Sequence, residues 1–265
     1  MKIQYASDLH LEFYENSNYL RNHPLKPVGD ILVLAGDIEC LNRDHYYFNS
    51  FWDYVSDNFK EVIVVAGNHE YYKGYDLAKN RSGKICSVRK NVSYYYNAHL
   101  VIDDVSFILS PLWSIIPNDQ ADIATRGVSD FHRIIYNGFN LTVEEFNKEH
   151  NRCISFIKRE IDLINNSLQI NQSENIKRNK IVVVTHHVPS YLLSSPDFSG
   201  SKISGVFNVE LSKYIESSSI DYWIYGHSHR SINKTIGNTQ CISNQLGYVF
   251  YDEHHNFDNS RIIEL

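Results

Sequence analysis

The stretch EVIVVAGNHE (residues 61–70) sets a short run of apolar and β-branched residues directly before a polar cluster. Near-continuous apolar runs of this length are typical of strands buried on both faces of a sheet. The pattern recurs four times, as KIQYAS (2–7) before DLH, DILVLAG (30–36) before DIE, KIVVVT (180–185) before HH, and DYWIYG (221–226) before HSH. The sequence therefore predicts five sheet strands that each end at a polar cluster.

Helical periodicity separates these strands. Residues 44–59 are predicted to be helical, and in residues 142–168 apolar side chains recur at spacings of three and four. Thr142 with Glu145 three residues later is a capping box, which marks the start of the second helix. Strands that alternate with helices indicate an α/β fold. Because no repeat or boundary interrupts the chain, we expect one domain over residues 1–265.

Four further segments complete the prediction. HLVIDDVSFILS (99–110) predicts two strands that meet at the Asp103–Asp104 turn. Residues 111–140 carry no period and are predicted to form a long loop insertion on the substrate side, since long loops in compact domains are more often functional than idle. Residues 169–179 are predicted to be a polar connector, and residues 231–265 short antiparallel strands.

Composition narrows the class of protein. The chain is 43% hydrophobic and 21% charged, which is typical of a folded soluble protein. The net charge of −6 argues against a broad nucleic-acid-binding face. No apolar run is long enough to span a membrane. At the N-terminus, Asp8, His10 and Glu12 interrupt the segment that would have to be the apolar part of a signal peptide, so we expect a cytoplasmic protein. The scattered cysteines predict reduced thiols; they are Cys40, Cys86, Cys153 and Cys241.

The polar clusters predict a shared site. The carboxyl ends of parallel strands meet at one edge of a sheet, where ligands bind in α/β folds. In extended chain, residues two apart point to the same side, so Asp8 should pair with His10, and His227 with His229. Ser228 should then face away and be replaceable. The glycines before three of the clusters would permit close backbone approach; they precede Asp37, Asn68 and His227.

The donor types indicate metal chemistry. Carboxylate, imidazole and amide oxygen suit Mn, Fe, Zn, Co or Ni, and thiolates of a structural zinc site are absent from the clusters. The clusters hold too many donors for a single ion, but they fit two ions bridged by one Asp. Taken alone, each cluster could be a loop pair or a surface histidine. Their repetition at five predicted strand ends favours the metal site.

The order DLH…GDI…GNHE…HH…GHSH is similar to that of the calcineurin-like metallophosphoesterase superfamily, in its bacterial single-domain form. The resemblance runs from Asp8 to His229 and implies a four-layer α/β/β/α sandwich with two central mixed β-sheets. It implies that His69 is the catalytic histidine beside the phosphoryl group and that Glu70 orients the loop. It also implies two metal sites that share Asp37, one formed by Asp8, His10, Asp37 and His229, the other by Asp37, Asn68, His186 and His227.

One position departs from the family pattern. Many relatives place an acidic residue three positions after the bridging Asp, where it orients the catalytic histidine. Here that position is Cys40, with Glu39 one residue earlier. Either Glu39 takes over this task or another group orients His69.

The expected activity is hydrolysis of a phosphoester, as a phosphodiesterase or phosphomonoesterase. A hydroxide held between two divalent ions, manganese first among them, would attack the phosphorus of a small nucleotide-like or phosphorylated metabolite. A nuclease and a non-enzymatic scaffold with the same fold are the alternatives, and the sequence carries no sign of an oligomeric state. Five side chains are candidate substrate contacts, and each could equally be an exposed loop residue or a surface histidine: His187, His132, Arg133, Arg126 and Arg230.

Overall fold

Two six-stranded mixed sheets form the centre of the computed structural model, which describes residues 1–41, 49–79, 81–170, 178–194 and 202–265. The strands are β1 Lys2–Ala6, β2 Ile31–Ala35, β3 Glu61–Val65, β4 Gly83–Arg89, β5 Val92–Tyr96, β6 Ala98–Ile102, β7 Val105–Ser110, β8 Ile135–Tyr136, β9 Phe139–Asn140, β10 Lys180–Thr185, β11 Tyr222–Ile224, β12 Lys234–Ile236, β13 Thr239–Ile242 and β14 Ile262–Glu264.

The two sheets share one design. The first has the order β14-β1-β2-β3-β5-β4, and the second has the order β12-β13-β11-β10-β7-β6. In each sheet four central strands run parallel and one antiparallel strand lies at either edge. The carboxyl ends of the central strands therefore point the same way within each sheet, which gathers the loops that follow them.

Helices cover the outer faces of the sheets. They are α1 Tyr14–Asn22, α2 Ser50–Asn58, α3 Ala121–Gly127, α4 Asp130–Arg133, α5 Val143–Ile170, α6 Ser204–Phe207 and α7 Ser212–Ser217. Single 3-10 turns occur at His69–Tyr71, Asn118–Gln120, Tyr191–Leu193, Val249–Tyr251 and Glu253–Asn256.

Side-chain alternation along the strands builds the layers. In β2, Val33 points into the core between the two sheets, and its neighbour Leu34 points outward to the core that contains Trp52 of α2. In β10, Val182 faces the inter-sheet core and Val183 packs in the outer core with α5. Strands buried on both faces must be apolar throughout, which explains their continuous apolar sequences. The predicted α/β/β/α architecture is confirmed.

The predicted strands and the main helix are confirmed. The five strands that end at polar clusters are β1, β2, β3, β10 and β11, and the predicted pair in 99–110 is β6 with β7. The capping box at the start of α5 also forms, because the Glu145 backbone N–H donates to Thr142 Oγ1 at 3.2 Å and the Thr142 N–H donates to Glu145 Oε2 at 3.0 Å.

Some predictions need correction. The helix predicted over 44–59 is α2, with Asn49 as its N-cap, and 44–48 lie outside the described residues. The connector predicted over 169–179 lies mostly outside them too, and α5 extends through 170. Residues 111–140 are not a long loop, since they contain α3, α4 and the β8–β9 hairpin. Residues 231–265 contain two 3-10 turns besides the predicted strands, and β13 pairs in parallel with β11.

No helix in the described ranges is both long and apolar enough to cross a membrane. The four cysteines are free thiols, and three of them are buried.

Candidate metal centre

The polar side chains that follow β1, β2, β3, β10 and β11 converge where the two sheets meet at their carboxyl ends. Three groups of these side chains have potential ligand atoms that all lie within 4.8 Å of one another. The groups are Asp8, His10 and His229; His10, Asp37 and His69; and Asp37, His186 and His227. Most of these residues are buried, so the sequence has brought acid and imidazole groups out of water into one cluster.

The backbone reaches this arrangement through left-handed residues. The φ angles are 54° at Asp8, 47° at His10, 54° at Asp37, 75° at His227 and 50° at His229. Asp8 and His10 lie in one group as expected, but sharp turns rather than an extended chain bring them there. The expected pairing of His227 with His229 is not found, since they lie in different groups. Left-handed residues cost about 1–3 kcal/mol each and persist where the surrounding structure holds them, typically at functional sites.

Glycines make room for the cluster. A Cβ at Gly67 would lie 2.2 Å from Asp37 Oδ1, and a Cβ at Gly36 would lie 2.3 Å from His186 Nδ1. A Cβ at Gly226 would lie 2.7 Å from Asp8 Oδ2. The predicted close approach of backbone at these glycines is confirmed.

The first group has the geometry of ligands around one ion. The Nε2 atoms of His10 and His229 are 3.0 Å apart, and His229 Nε2 is 3.5 Å from Asp8 Oδ1. Metal–ligand bonds of about 2.0–2.2 Å place neighbouring ligand atoms about 3.0–3.5 Å apart. Both distances from His229 Nε2 therefore match those between ligands of one metal ion.

Hydrogen bonding on the far side of each ring explains why a cation fits. His10 Nδ1 lies 3.2 Å from Glu12 Oε1, and His229 Nδ1 lies 2.6 Å from Glu253 Oε2. Burial lowers the pKa of His10, which favours the neutral form of its ring. A neutral imidazole that donates from Nδ1 has a lone pair on Nε2. If both rings donate from Nδ1 to their carboxylates, two lone pairs would face each other across the 3.0 Å between the Nε2 atoms, an arrangement that a metal ion would stabilise.

The second group gathers around Asp37 and His186. His186 Nε2 is 3.3 Å from Asp37 Oδ1, 3.0 Å from Asn68 Oδ1 and 3.1 Å from His227 Nδ1. Burial lowers the pKa of His186, but the Asp37 carboxylate outweighs it and raises this pKa to about 10. The surroundings of His186 thus favour a positive charge, which either a proton or a metal ion can supply.

Outer contacts fix the ligand atoms of this second group. His186 Nδ1 lies 2.9 Å from the Ala35 carbonyl oxygen, which turns Nε2 toward the cluster. The Asn68 side-chain amide donates to Asp130 Oδ1 at 2.9 Å, which turns its oxygen toward His186. Hydrogen bonds of this kind hold metal-binding side chains in orientation.

Glu70 organises the loops beneath the cluster. Its carboxylate accepts backbone N–H groups of Gly67 at 2.7 Å, Ile38 at 2.9 Å and Asp37 at 3.0 Å. The carboxylate therefore ties the loop after β2 to the loop after β3, as expected from the family resemblance.

His69 is held by Glu12. Its Nδ1 lies 2.7 Å from Glu12 Oε1, and its Nε2 faces the cluster at 4.0 Å from Asp37 Oδ2. Burial lowers the pKa of His69, but the Asp37 and Glu12 carboxylates outweigh it and raise this pKa to about 9. Burial raises the pKa of Glu12, yet hydrogen bonds from His10 and His69 lower it to about 2. One carboxylate oxygen thus serves both histidines.

The alternative that Glu39 orients His69 is wrong. Glu39 instead accepts from Trp52 Nε1 at 2.7 Å and from the Asn49 side-chain amide at 3.2 Å. The partner of His69 comes from the DLHLE motif, and its position four residues after Asp8 was a local signal that could have been recognised.

A cavity of about 490 Å³ opens beside the cluster. Of the candidate substrate contacts, Arg133 lines it and lies over the Tyr72 ring at 5.4 Å. His132 and Arg126 are exposed and do not line it, nor does the half-buried Arg230. His187 is fully buried behind the cluster, with its ring 4.2 Å from that of His227.

Besides Glu12, three side chains near the cluster were not predicted from the sequence. Asp130 is buried and accepts from Asn68 and, at 2.5 Å, from the Tyr72 hydroxyl. Burial raises the pKa of Asp130. Glu253 and Tyr248 come from the tail and were not among the predicted site residues. Ser228 is also buried, and its hydroxyl accepts from Gln245 Nε2 at 3.2 Å rather than contacting the histidines.

The chain resembles known proteins in sequence and in fold. The profile of a family described as calcineurin-like phosphoesterase matches residues 1–231. An uncharacterised protein of Acanthamoeba polyphaga mimivirus, L509, is 27% identical over 288 residues, covering 99% of this chain and 96% of the viral protein. The fold resembles that of phosphopantetheinyl hydrolase from Mycobacterium tuberculosis, with a TM-score of 0.63 and 15% identity over 99% of this chain and 95% of that one.

Proposed function

The chain belongs to the calcineurin-like phosphoesterase family, and from that premise we propose that it hydrolyses a small phosphoester with two divalent metal ions. In this proposal one ion is held by Asp8, His10, Asp37 and His229, and the other by Asp37, Asn68, His186 and His227. Asp37 is shared, since its Oδ2 faces His10 at 3.9 Å and its Oδ1 faces His186 at 3.3 Å.

The observation that carries the proposal is the pair of facing imidazole nitrogens of His10 and His229, 3.0 Å apart, each backed by a carboxylate. Divalent ions at these positions would neutralise charge on the phosphoryl oxygens and lower the pKa of a bound water. Manganese is our first choice of metal, with Fe, Zn, Co and Ni compatible with the same donors.

His69 is proposed to act on the leaving group. Glu12 fixes Nδ1, so the Nε2–H is the group that can donate to the leaving or phosphoryl oxygen. The Asp37 and Glu12 carboxylates favour the protonated form of His69, so the ring carries a proton on Nε2 that it can donate. The proposed proton donor therefore stands directly beside the proposed metal ligands.

The cavity supports a small substrate. Its volume of about 490 Å³ lies in the range of sites for small molecules. The described residues that line it include the aromatic rings of Phe13 and Phe250 and the guanidinium of Arg133, a combination that suits a planar organic group with a phosphate. The acidic Asp130 and Glu253 also line it, which favours a nucleotide-like or phosphorylated metabolite over a nucleic acid.

The test is hydrolysis of bis(4-nitrophenyl) phosphate and 4-nitrophenyl phosphate by the purified protein with each metal supplied. We expect metal-dependent activity that chelation removes and that Asp37→Asn or His227→Ala abolishes. His23→Ala, which removes an exposed histidine, is the matched control and should retain activity. Full activity in Asp37→Asn would contradict the proposal, and bound metal without hydrolysis of either ester would favour the scaffold alternative.

A further inference from the structure

Tyr248 lies beyond the part of the chain that matches the family, yet it contacts the candidate metal centre. Its ring centroid is 4.6 Å from that of His10 and 4.5 Å from that of His229. Its hydroxyl oxygen lies 3.2 Å from His69 Nε2, the nitrogen that faces the cluster. The side chain also lines the cavity. A phenol hydroxyl therefore stands where the cavity meets the proposed proton donor.

The surrounding backbone fixes this position. The Tyr248 N–H donates to Glu253 Oε2 at 2.7 Å, and the same oxygen accepts from His229 Nδ1. One residue earlier, the Gly247 N–H donates to the Asp8 carbonyl oxygen at 3.1 Å. The tail segment that carries Tyr248 is thus bonded to loops that carry two of the proposed metal ligands.

We propose that Tyr248 is a further catalytic residue, whose hydroxyl donates a hydrogen bond to a phosphoryl oxygen of the substrate beside His69. This inference rests on the proposed function. Before substrate binds, the His69 Nε2–H can donate to the phenol oxygen. Once the substrate takes that N–H, the phenol O–H can turn to a neighbouring phosphoryl oxygen, because a hydroxyl has one donor and two acceptor positions. An anionic phosphoryl oxygen is a strong acceptor for such a donor.

Packing does not account for the hydroxyl. The ring of Tyr248 stacks on Phe250 at 5.2 Å and lies edge-to-face with Phe13 at 5.5 Å, contacts that a phenylalanine would make equally well. The ring centroid also lies 6.2 Å from that of His69, but only the hydroxyl can form a hydrogen bond with His69. The function of that hydroxyl can therefore be separated from the function of the ring by removing one oxygen atom.

The experiment compares Tyr248→Phe with the wild type and with Tyr14→Phe, which removes a hydroxyl from a side chain that is 74% exposed. Metal content, affinity of the metal-loaded protein for inorganic phosphate, and kcat and KM for an aryl phosphate are measured. We expect Tyr248→Phe to keep its metal content, to bind phosphate about tenfold more weakly and to lose about tenfold or more in kcat/KM. Tyr14→Phe should match the wild type in all three.

Two results would overturn the inference. Phosphate affinity and rates equal to those of Tyr14→Phe would show that the hydroxyl does not contact the substrate. Loss of metal from Tyr248→Phe would show that the hydroxyl acts through the metal centre. Failure of the proposed function is distinguishable, since a wild-type protein that binds no metal and cleaves no phosphoester overturns both proposals together.

Discussion

The strand-end site, which holds the candidate metal ligands that follow β1, β2, β3, β10 and β11, differs in burial from the rim of the cavity beside it. The strand-end site consists of buried or nearly buried side chains, and several of its ligand atoms have a second hydrogen bond that fixes their direction. The cavity rim is formed by Arg133, Phe250 and Tyr251, which are exposed. We expect the strand-end site to determine the rate of the reaction and the cavity rim to determine which substrate binds. Substitutions in the strand-end site should therefore lower kcat strongly, and substitutions at the rim should mainly raise KM.

The largest difference between the regions is expected at glycines. In Gly67→Ala the new Cβ would lie 2.2 Å from Asp37 Oδ1, so the loops must shift. We expect loss of metal-dependent activity and a fall of about 1–3 kcal/mol in the free energy of unfolding, measured by urea denaturation. Gly127→Ala on the cavity side is the control, because its Cβ would meet nothing within 4 Å. Wild-type activity in Gly67→Ala would contradict the strand-end geometry.

The next effect concerns Glu12, which lies behind the strand-end site. Glu12→Gln removes the charge that holds His10 and His69, and we expect kcat to fall about 10–100-fold. The loss should be greater for phenyl phosphate than for 4-nitrophenyl phosphate, because the poorer leaving group depends more on proton donation.

Glu39→Gln is the matched control for that comparison. Its carboxylate bonds to Trp52, so we expect a lower melting temperature with the same ratio of rates for the two esters. An equal loss of activity on both esters in Glu12→Gln would show that Glu12 does not orient a proton donor.

A smaller effect is expected at the rim. Arg133→Ala should raise KM by about two- to fivefold with little change in kcat, as expected for an exposed charge that contacts a phosphorylated substrate. Arg126→Ala, an exposed arginine that does not line the cavity, should leave KM unchanged. A large drop in kcat for Arg133→Ala would show instead that this arginine takes part in the reaction, like the residues of the strand-end site.

The smallest effect is expected at Ser228, inside the GHSH motif. Its hydroxyl bonds to Gln245 rather than to the histidines, so Ser228→Ala should keep kcat/KM within about twofold while losing about 1 kcal/mol of stability. Steady-state kinetics and thermal melting measure the two quantities. A hundredfold loss of activity would mean that the hydroxyl contacts the substrate.

The sequence predicted what depends on local pattern. Buried parallel strands need continuous apolar residues, and the loops at their carboxyl ends must converge, so the strands, the two-sheet fold and the cluster at the strand ends were all predictable. The sharp turns at His227 and His229 were not, because left-handed backbone at a histidine has no signature in the sequence.

The residues of the site that were not predicted differ in how far they lie in sequence from the residues they contact. Glu12 was available, since it follows His10 by two residues in a motif already identified. Tyr248 reaches His69 across 179 positions of sequence and Glu253 reaches His229 from the tail, contacts that only the folded chain defines. Of the rim, Arg133 was a candidate from the sequence, but the short helices of 121–133 were not predicted because they carry no clear periodicity.

The content of bound metal tests the central claim most directly. Purified protein is loaded with Mn²⁺, freed of excess metal and measured by inductively coupled plasma mass spectrometry, beside Asp37→Asn and His23→Ala. We predict about two ions per chain in the wild type and in His23→Ala, and about one or fewer in Asp37→Asn, which loses the shared carboxylate. A wild-type protein that retains no ion, or an Asp37→Asn variant that retains as many ions as the wild type, would contradict a two-metal centre at these strand ends.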